Sequence, residues 1–224
     1  AVNVARSGEI GQLVALDGKS TIIYVPLLAT DAEGNPLDYT KLAAELEGRP
    51  VLEHAMRAAA AVASPIVLVI GPDDPVPWLP ADLGADVVLA RDAVAHRGPL
   101  AGLAAGVGAL AALPRPVDIA ILVAGDMPTL VPAVLELLAG TLARDPSLGV
   151  ACLETDQASP LPAAVRPSVA GPAASALLAA DRRSLRGLLT AVRTVVVPAG
   201  DWRALDPLGA TLRDVDTPDD LAWR

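Results

Sequence analysis

The chain has 224 residues, 53% of them hydrophobic and only 2% aromatic, with a formal net charge of −9. That acidity argues against nucleic-acid or anionic-membrane binding, which needs a basic face, and the scarcity of aromatic rings argues against a stacking platform for single strands. The lone Cys152 closes no internal disulfide, no apolar run reaches the roughly 18 residues of a membrane span, and no leader pattern stands out, so the expected location is cytoplasmic.

The length suits one sizeable domain with a small appendage. In chain order, Gln12–Leu16 and Ser20–Val25 flank Asp17-Gly18, which predicts an N-terminal β-hairpin. Its second arm is free to continue into the main sheet through Leu27, Leu28 and Ala29. Residues 1–20 are assigned to this extension and 21–224 to the main domain. Thr30–Thr40, with Gly34 and Pro36, reads as a loop, and Leu42–Leu46 as a short helix or strand ended by Gly48-Arg49-Pro50. Val51–Ala63 has helical periodicity, with Val51, Leu52, Ala55, Met56 and Ala59 on one face.

Pro65–Gly71 reads as a buried strand, followed by a loop to Pro80 that holds four prolines. Ala85–Ala90 is a third strand, ending at Arg91-Asp92. Gly98-Pro99 opens a helix to about Leu113; Pro is tolerated at the first helical position because its missing donor has no partner there. Ile119–Ala124 is apolar without a break, the pattern of a strand covered on both faces. It stops at Gly125-Asp126, and a helix runs from about Thr129 to Leu142. Leu148–Leu153 reads as a strand, and Pro160–Val165 as an edge strand because proline cannot donate to a ladder. Helices at Ala173–Ala180 and Leu185–Val192 precede a strand at Thr194–Pro198. Leu212–Asp216 leads into a short helix capped by Thr217 with Pro218 in its first turn. Strands alternating with helices predict a three-layer α/β fold with a mostly parallel central sheet.

Acidic residues follow three of the strands: Asp92, Asp126, and the pair Asp214 and Asp216. Open α/β sheets bind ligands at the carboxyl ends of their strands, so these carboxylates have a route to one crevice. Asp is a hard oxygen donor suited to Mg²⁺, which takes one or two carboxylates and completes its shell with substrate phosphates. Lys41 follows the first main strand, within reach of a phosphate as a point charge. The competing reading is that Asp126 opens a turn and that Lys41 is a solvated surface residue.

Four segments, in order, resemble the molybdenum-cofactor guanylyltransferases and related MobA-like NTP transferases. They are Gly48-Arg49-Pro50-Val51-Leu52-Glu53-His54, Arg97-Gly98-Pro99-Leu100-Ala101-Gly102-Leu103, Gly125-Asp126-Met127-Pro128, and Asp214-Val215-Asp216-Thr217-Pro218-Asp219-Asp220-Leu221. The likeness spans roughly residue 28 to the end. It implies a Rossmann-like nucleotidyltransferase fold and a catalytic pair of Lys41 and Asp126. It implies Mg²⁺ on Asp126 with Asp214 or Asp216, and a nucleotide held by Leu28, Ala29, Gly34, Lys41, Gly71, Asp92, Gly98, Pro99 and Leu100. The implied reaction moves an NMP from an NTP, GTP first and CTP second, to a small phosphorylated acceptor such as molybdopterin, releasing pyrophosphate.

One departure stands out. The family's phosphate loop opens with paired glycines, and here Thr30-Asp31 replaces them, with Glu33 and Asp38 following. Two unit charges 4 Å apart repel by about 4 kcal/mol at an effective dielectric of 20, so this loop is a poor triphosphate cradle unless its acids turn outward. A relative that keeps the fold but has lost turnover, binding a nucleotide or a protein partner, therefore stands beside the active enzyme. A sugar- or dinucleotide-binding α/β domain is a third reading, and a homodimer is left open.

Overall fold

The computed structural model describes residues 20–25, 45–92, 98–215 and 220. The elements in chain order are β1 (Ser20–Val25), β2 (Glu45–Leu46), β3 (Arg49–Pro50), α1 (Val51–Ala60), β4 (Ile66–Ile70), β5 (Val87–Arg91), α2 (Pro99–Ala111), β6 (Ile119–Ala124), α3 (Pro132–Ala143), β7 (Val150–Glu154), β8 (Ala158–Val165), α4 (Pro167–Ala179), α5 (Leu185–Ala191), β9 (Thr194–Val197) and α6 (Ala199–Arg203), followed by a 3₁₀ turn at Ala210–Leu212. Seven strands form one sheet in the order β5-β4-β1-β6-β8-β7-β9. The β5-β4, β4-β1, β1-β6 and β7-β9 pairs are parallel, and β8 is antiparallel to both its neighbours. This is the expected mostly parallel α/β sheet. The N-terminal hairpin and the helix after Thr217 lie outside the described residues.

The strands alternate their side chains between two cores, as a period of two requires. Ile66, Leu68 and Ile70 of β4, with Ile119, Ile121 and Val123 of β6, meet Met56 of α1 and Leu135 and Leu138 of α3. Val67, Val69, Ala120 and Leu122 face the other way, onto Leu100 and Leu103 of α2, Ala170 and Ala174 of α4, and Leu188 of α5. Every residue of β6 is buried, which is why its sequence carries no polar break.

Four sequence expectations change. Asp214 follows no strand: the residues before it form the 3₁₀ turn at Ala210–Leu212, whose first amides are taken up by the Asp206 carboxylate. The segment around Pro160–Val165 is an interior strand, β8, seated between β6 and β7. Its ladder avoids the prolines: Ala163–Val165 pair with both neighbours, and the register then jumps so that Ser159 and Ala158 meet Leu153 and Glu154. Pro160 and Pro162 fall in the bulge between these two stretches, where the register shifts and no ladder donor is required. Helix α4 begins at Pro167, six residues before the expected start, and runs through Pro172. Pro167 occupies the first helical position without loss, whereas Pro172 forfeits one intrahelical bond. Glu47 and Gly48, both with positive φ, close a two-residue turn between β2 and β3, so Gly48 joins two short strands where a simple break was expected.

Cys152 lies in β7 with no exposed surface, and burial pushes its thiol up to about 11. Only about one molecule in a thousand carries a thiolate there at pH 8, and the thiolate is the nucleophile. Iodoacetamide should therefore leave the folded protein unlabelled while alkylating the urea-denatured chain fully; rapid labelling of the folded form would contradict this packing.

Candidate active site

In the order β5-β4-β1-β6, the chain steps outward from β1 to β4 and β5 and then returns to pair β6 on the other side of β1. This reversal is a topological switch point, where open α/β sheets leave a crevice beyond the carboxyl ends of the strands. Val25, the last residue of β1, is in register with Ala124, the last of β6. Gly125 and Asp126 follow at once, so Asp126 stands at the mouth of that crevice.

The turn is tightly held. A Cβ on Gly125 would lie 3.1 Å from Cδ1 of Leu52, so α1 closes directly against the turn. Asp126 is only 8% exposed, and its Oδ1 is sealed from solvent. The backbone N–H of Val215 donates to the Asp126 carbonyl oxygen at 3.0 Å. This bond brings the Asp214 backbone to within one peptide unit of the turn. The Asp214 side chain itself is exposed.

Asp92 is separate from this pair. It follows β5, its N–H donating to the Ile70 carbonyl at 2.9 Å. Strands β4 and β1 lie between β5 and β6, so its backbone is about 14 Å from that of Asp126, three inter-strand spacings of about 4.8 Å. The backbone at Asp214–Val215 is therefore joined to the Asp126 turn, whereas Asp92 lies farther along the same edge of the sheet.

Between them, the β4 tip is fixed by its own loop. The Gly71 N–H donates to Asp74 Oδ2 at 2.9 Å, and Arg91 Nη1 donates to the carbonyls of Gly71, Pro72 and Asp74, each at 2.9 Å. A Cβ on Gly71 would lie 2.5 Å from Asp74 Oδ2, so this loop accepts only glycine without rearranging. Gly98, at φ 80, caps α2, with Pro99 opening the helix. Leu100 has no exposed surface and belongs to the core, which leaves its backbone as the part that can meet a ligand. Leu28, Ala29, Gly34, Lys41 and Asp216 lie outside the described residues.

Two features of this edge escaped the sequence reading. A Cβ on Gly98 would sit 3.4 Å from the Arg183 carbonyl oxygen, so the α4–α5 turn with Arg182, Arg183 and Arg186 packs beside the start of α2. Arg186 reaches Gln157 Oε1 at 3.1 Å in the β7–β8 turn. Charge alone did not mark these arginines, because their grouping depends on tertiary contact. The second feature is the stretch from α6 to Val215, which crosses the Asp126 turn.

Among the described residues, no three His, Cys, Asp or Glu side chains are grouped to hold a metal ion. The donor set nevertheless fits Mg²⁺ or Mn²⁺. Such ions in phosphoryl-transfer sites take one or two carboxylates and complete their shell with water and substrate phosphates, and Asp126 offers a buried hard oxygen donor at the crevice.

The profile of the MobA-like NTP transferase domain matches residues 34–199. The chain belongs to this family of nucleotidyltransferases. It is 32% identical over 180 residues to the "Probable molybdenum cofactor guanylyltransferase" of Chloroflexus aggregans, covering 78% of this chain and 79% of the relative. Among solved structures it resembles molybdopterin-guanine dinucleotide biosynthesis protein A of Archaeoglobus fulgidus, with a TM-score of 0.66 and 20% identity, covering 90% of this chain and 94% of that one. It also resembles Rv0371C of Mycobacterium tuberculosis, solved in complex with manganese, with a TM-score of 0.52 and 20% identity, covering 90% and 95%. The two structural likenesses bear on the fold. No helix among the described residues is long and apolar enough to cross a membrane.

Proposed function

We propose that this chain is a divalent-metal-dependent guanylyltransferase that transfers GMP from GTP to the phosphate of a molybdopterin-like acceptor. The observation that carries this reading is the buried Asp126 at the β1/β6 switch point, with the Asp214–Val215 backbone fastened to its turn. The family and the name of the Chloroflexus relative support a guanine nucleotide and a molybdenum-cofactor precursor as the substrates.

In this mechanism, Asp126, with Asp214 or Asp216, would hold Mg²⁺. The bound ion would supply neutralisation of phosphate charge. Lys41 binds the triphosphate as a point charge; its segment departs from β1, whose end adjoins Ala124. Asp92, with the Gly71 loop, contacts the nucleoside some three strands away, a separation that suits a ligand laid along the sheet edge. Gly98 and Pro99 form the wall beyond it. At the α4–α5 turn Arg183 is paired with Asp181 at 2.9 Å, and Arg182 and Arg186 add positive charge beside that wall, which suits the acceptor phosphate. An oxygen of that phosphate attacks the α-phosphorus of GTP. A new P–O bond forms as the bond from the α-phosphorus to the bridging oxygen breaks, and pyrophosphate leaves with the electron pair.

A second reading rests on one specific feature. Thr30 and Asp31 stand where the family has paired glycines, with Glu33 and Asp38 close behind. Such a loop fits a protein that keeps the fold and binds a nucleotide or protein partner without turnover. One experiment separates the two readings. With Mg²⁺, GTP and molybdopterin, the active enzyme releases pyrophosphate and prefers GTP to CTP. The degenerate protein releases none; if it still binds nucleotide, GTP at 100 times its Kd adds about 2.7 kcal/mol to its stability, and if it binds only a protein partner, millimolar GTP leaves its melting temperature unchanged.

A further inference from the structure

The segment after α6 is built as a strap over the Asp126 turn, and a buried carboxylate locks the strap. Asp206 is only 4% exposed. Its Oδ1 accepts from the Ala210 N–H at 2.9 Å and its Oδ2 from the Thr211 N–H at 2.7 Å. Both bonds satisfy donors at the start of the 3₁₀ turn, which has no other side-chain cap. Burial alone would raise the Asp206 carboxyl, but the amides of Thr211 and Ala210 outweigh it and hold the group below its ordinary value.

Thr211, fully buried, passes this order on. Its Oγ1 accepts from the Val131 N–H at 3.1 Å. One residue earlier, the Ala210 carbonyl accepts from Thr129 Oγ1 at 2.7 Å. At the far end, the Val215 N–H donates to the Asp126 carbonyl at 3.0 Å. The loop 126–131 is thus bonded to the strap at three points, which bracket both of its ends.

We infer that Asp206 and Thr211 are positioning residues: they fix the strap so that it holds the Asp126 turn in one conformation for its metal–nucleotide ligand. This rests on the role given to Asp126 under the proposed function. A carboxylate that binds an ion must be held to within a fraction of an ångström, and residues behind such ligands typically cost 10–100-fold in affinity or activity when changed.

The test compares Asp206→Asn, Thr211→Val and Thr211→Ser with the unaltered protein. Pyrophosphate release from GTP gives kcat and KM, and electron paramagnetic resonance of Mn²⁺ with GTP present gives ion affinity. Asp206→Asn replaces one accepting oxygen by a donor; Thr211→Val removes the acceptor at nearly constant shape. Both should lose roughly tenfold or more in kcat and in Mn²⁺ affinity, with the KM for GTP within about twofold, because the Gly71 loop is held by Asp74 and Arg91 on the far side of the sheet edge. Thr211→Ser keeps the hydroxyl and should restore both quantities. If the unaltered protein turns over GTP and Asp126→Asn does not, yet Thr211→Val matches the unaltered protein in kcat and Mn²⁺ affinity, the strap is only structural and this inference falls alone. If the unaltered protein neither binds Mn²⁺ with GTP nor releases pyrophosphate, the proposed function falls and takes this inference with it. Should Asp206→Asn fail to fold, the Thr211 pair decides the question.

Discussion

Asp126→Asn should lower nucleotidyl transfer at least about a hundredfold while leaving the fold in place. Asp126 is buried at a strand tip with its Oδ1 closed off from water. The amide keeps the shape of the side chain, so no cavity opens, but it brings no charge to offset that of a bound ion. Loss of a group that stabilises developing phosphate charge typically costs 10²–10³ in kcat, and pyrophosphate release should fall accordingly. Thermal melting without metal should change by only a few degrees. Retained turnover would remove Asp126 from the chemistry. A large drop in melting temperature would show that the carboxylate is there to hold the fold.

Trp202→Ala should be among the most destabilising single changes in the described chain. Trp202 has no exposed surface, and its indole Nε1–H donates to the Glu154 carbonyl at 2.9 Å. It belongs to the core formed on the α1 and α3 side of the sheet, and it anchors α6, from which the strap to Val215 departs. Truncating a buried Trp to Ala costs about 3–5 kcal/mol. For a chain of this size each kcal/mol lowers the melting temperature by about 2–4 °C, so a fall of about 6–20 °C is expected. Trp202→Phe retains most of the volume and loses the hydrogen bond, which predicts an intermediate loss of about 1–3 kcal/mol. A fall of under about 2 °C for Trp202→Ala would mean that α6 is not docked as described.

Trp202 also shows where the sequence stops being readable. Helix α6 has five residues, too few for a periodicity to register, and its burial depends on β7 and β9 lying in register beneath it. Strand β6 was legible because burial on both faces leaves an unbroken apolar run, whatever the neighbouring strands are. Strand β8 was misjudged for the opposite reason. Its prolines argue for an edge only if they fall on paired positions, and the bulge that frees them is a property of two strands together.

The same division runs through the site. Asp126 was legible because a carboxylate directly after a buried strand has one natural place in an α/β sheet. Asp214 was expected to follow a strand; it follows a 3₁₀ turn instead, and what joins its neighbourhood to the Asp126 turn is a backbone bond from Val215, which no side-chain pattern encodes. Asp92 belongs to the same edge but not to the same point on it, because strand order, which sets the spacing, is not written in any one segment. Asp206 and Thr211 were invisible: an Asp followed by Pro-Leu-Gly reads as an ordinary turn until the 3₁₀ amides are seen to converge on it.

The most direct measurement is a crystal structure with Mn²⁺ and a non-hydrolysable GTP analogue, phased for the anomalous signal of the ion. The account predicts a single strong peak about 2.1 Å from a carboxylate oxygen of Asp126, beyond the paired ends of β1 and β6, with the guanosine lying toward Asp92 and the Gly71 loop. An ion bound away from Asp126, or a nucleotide seated anywhere other than that crevice, would contradict it.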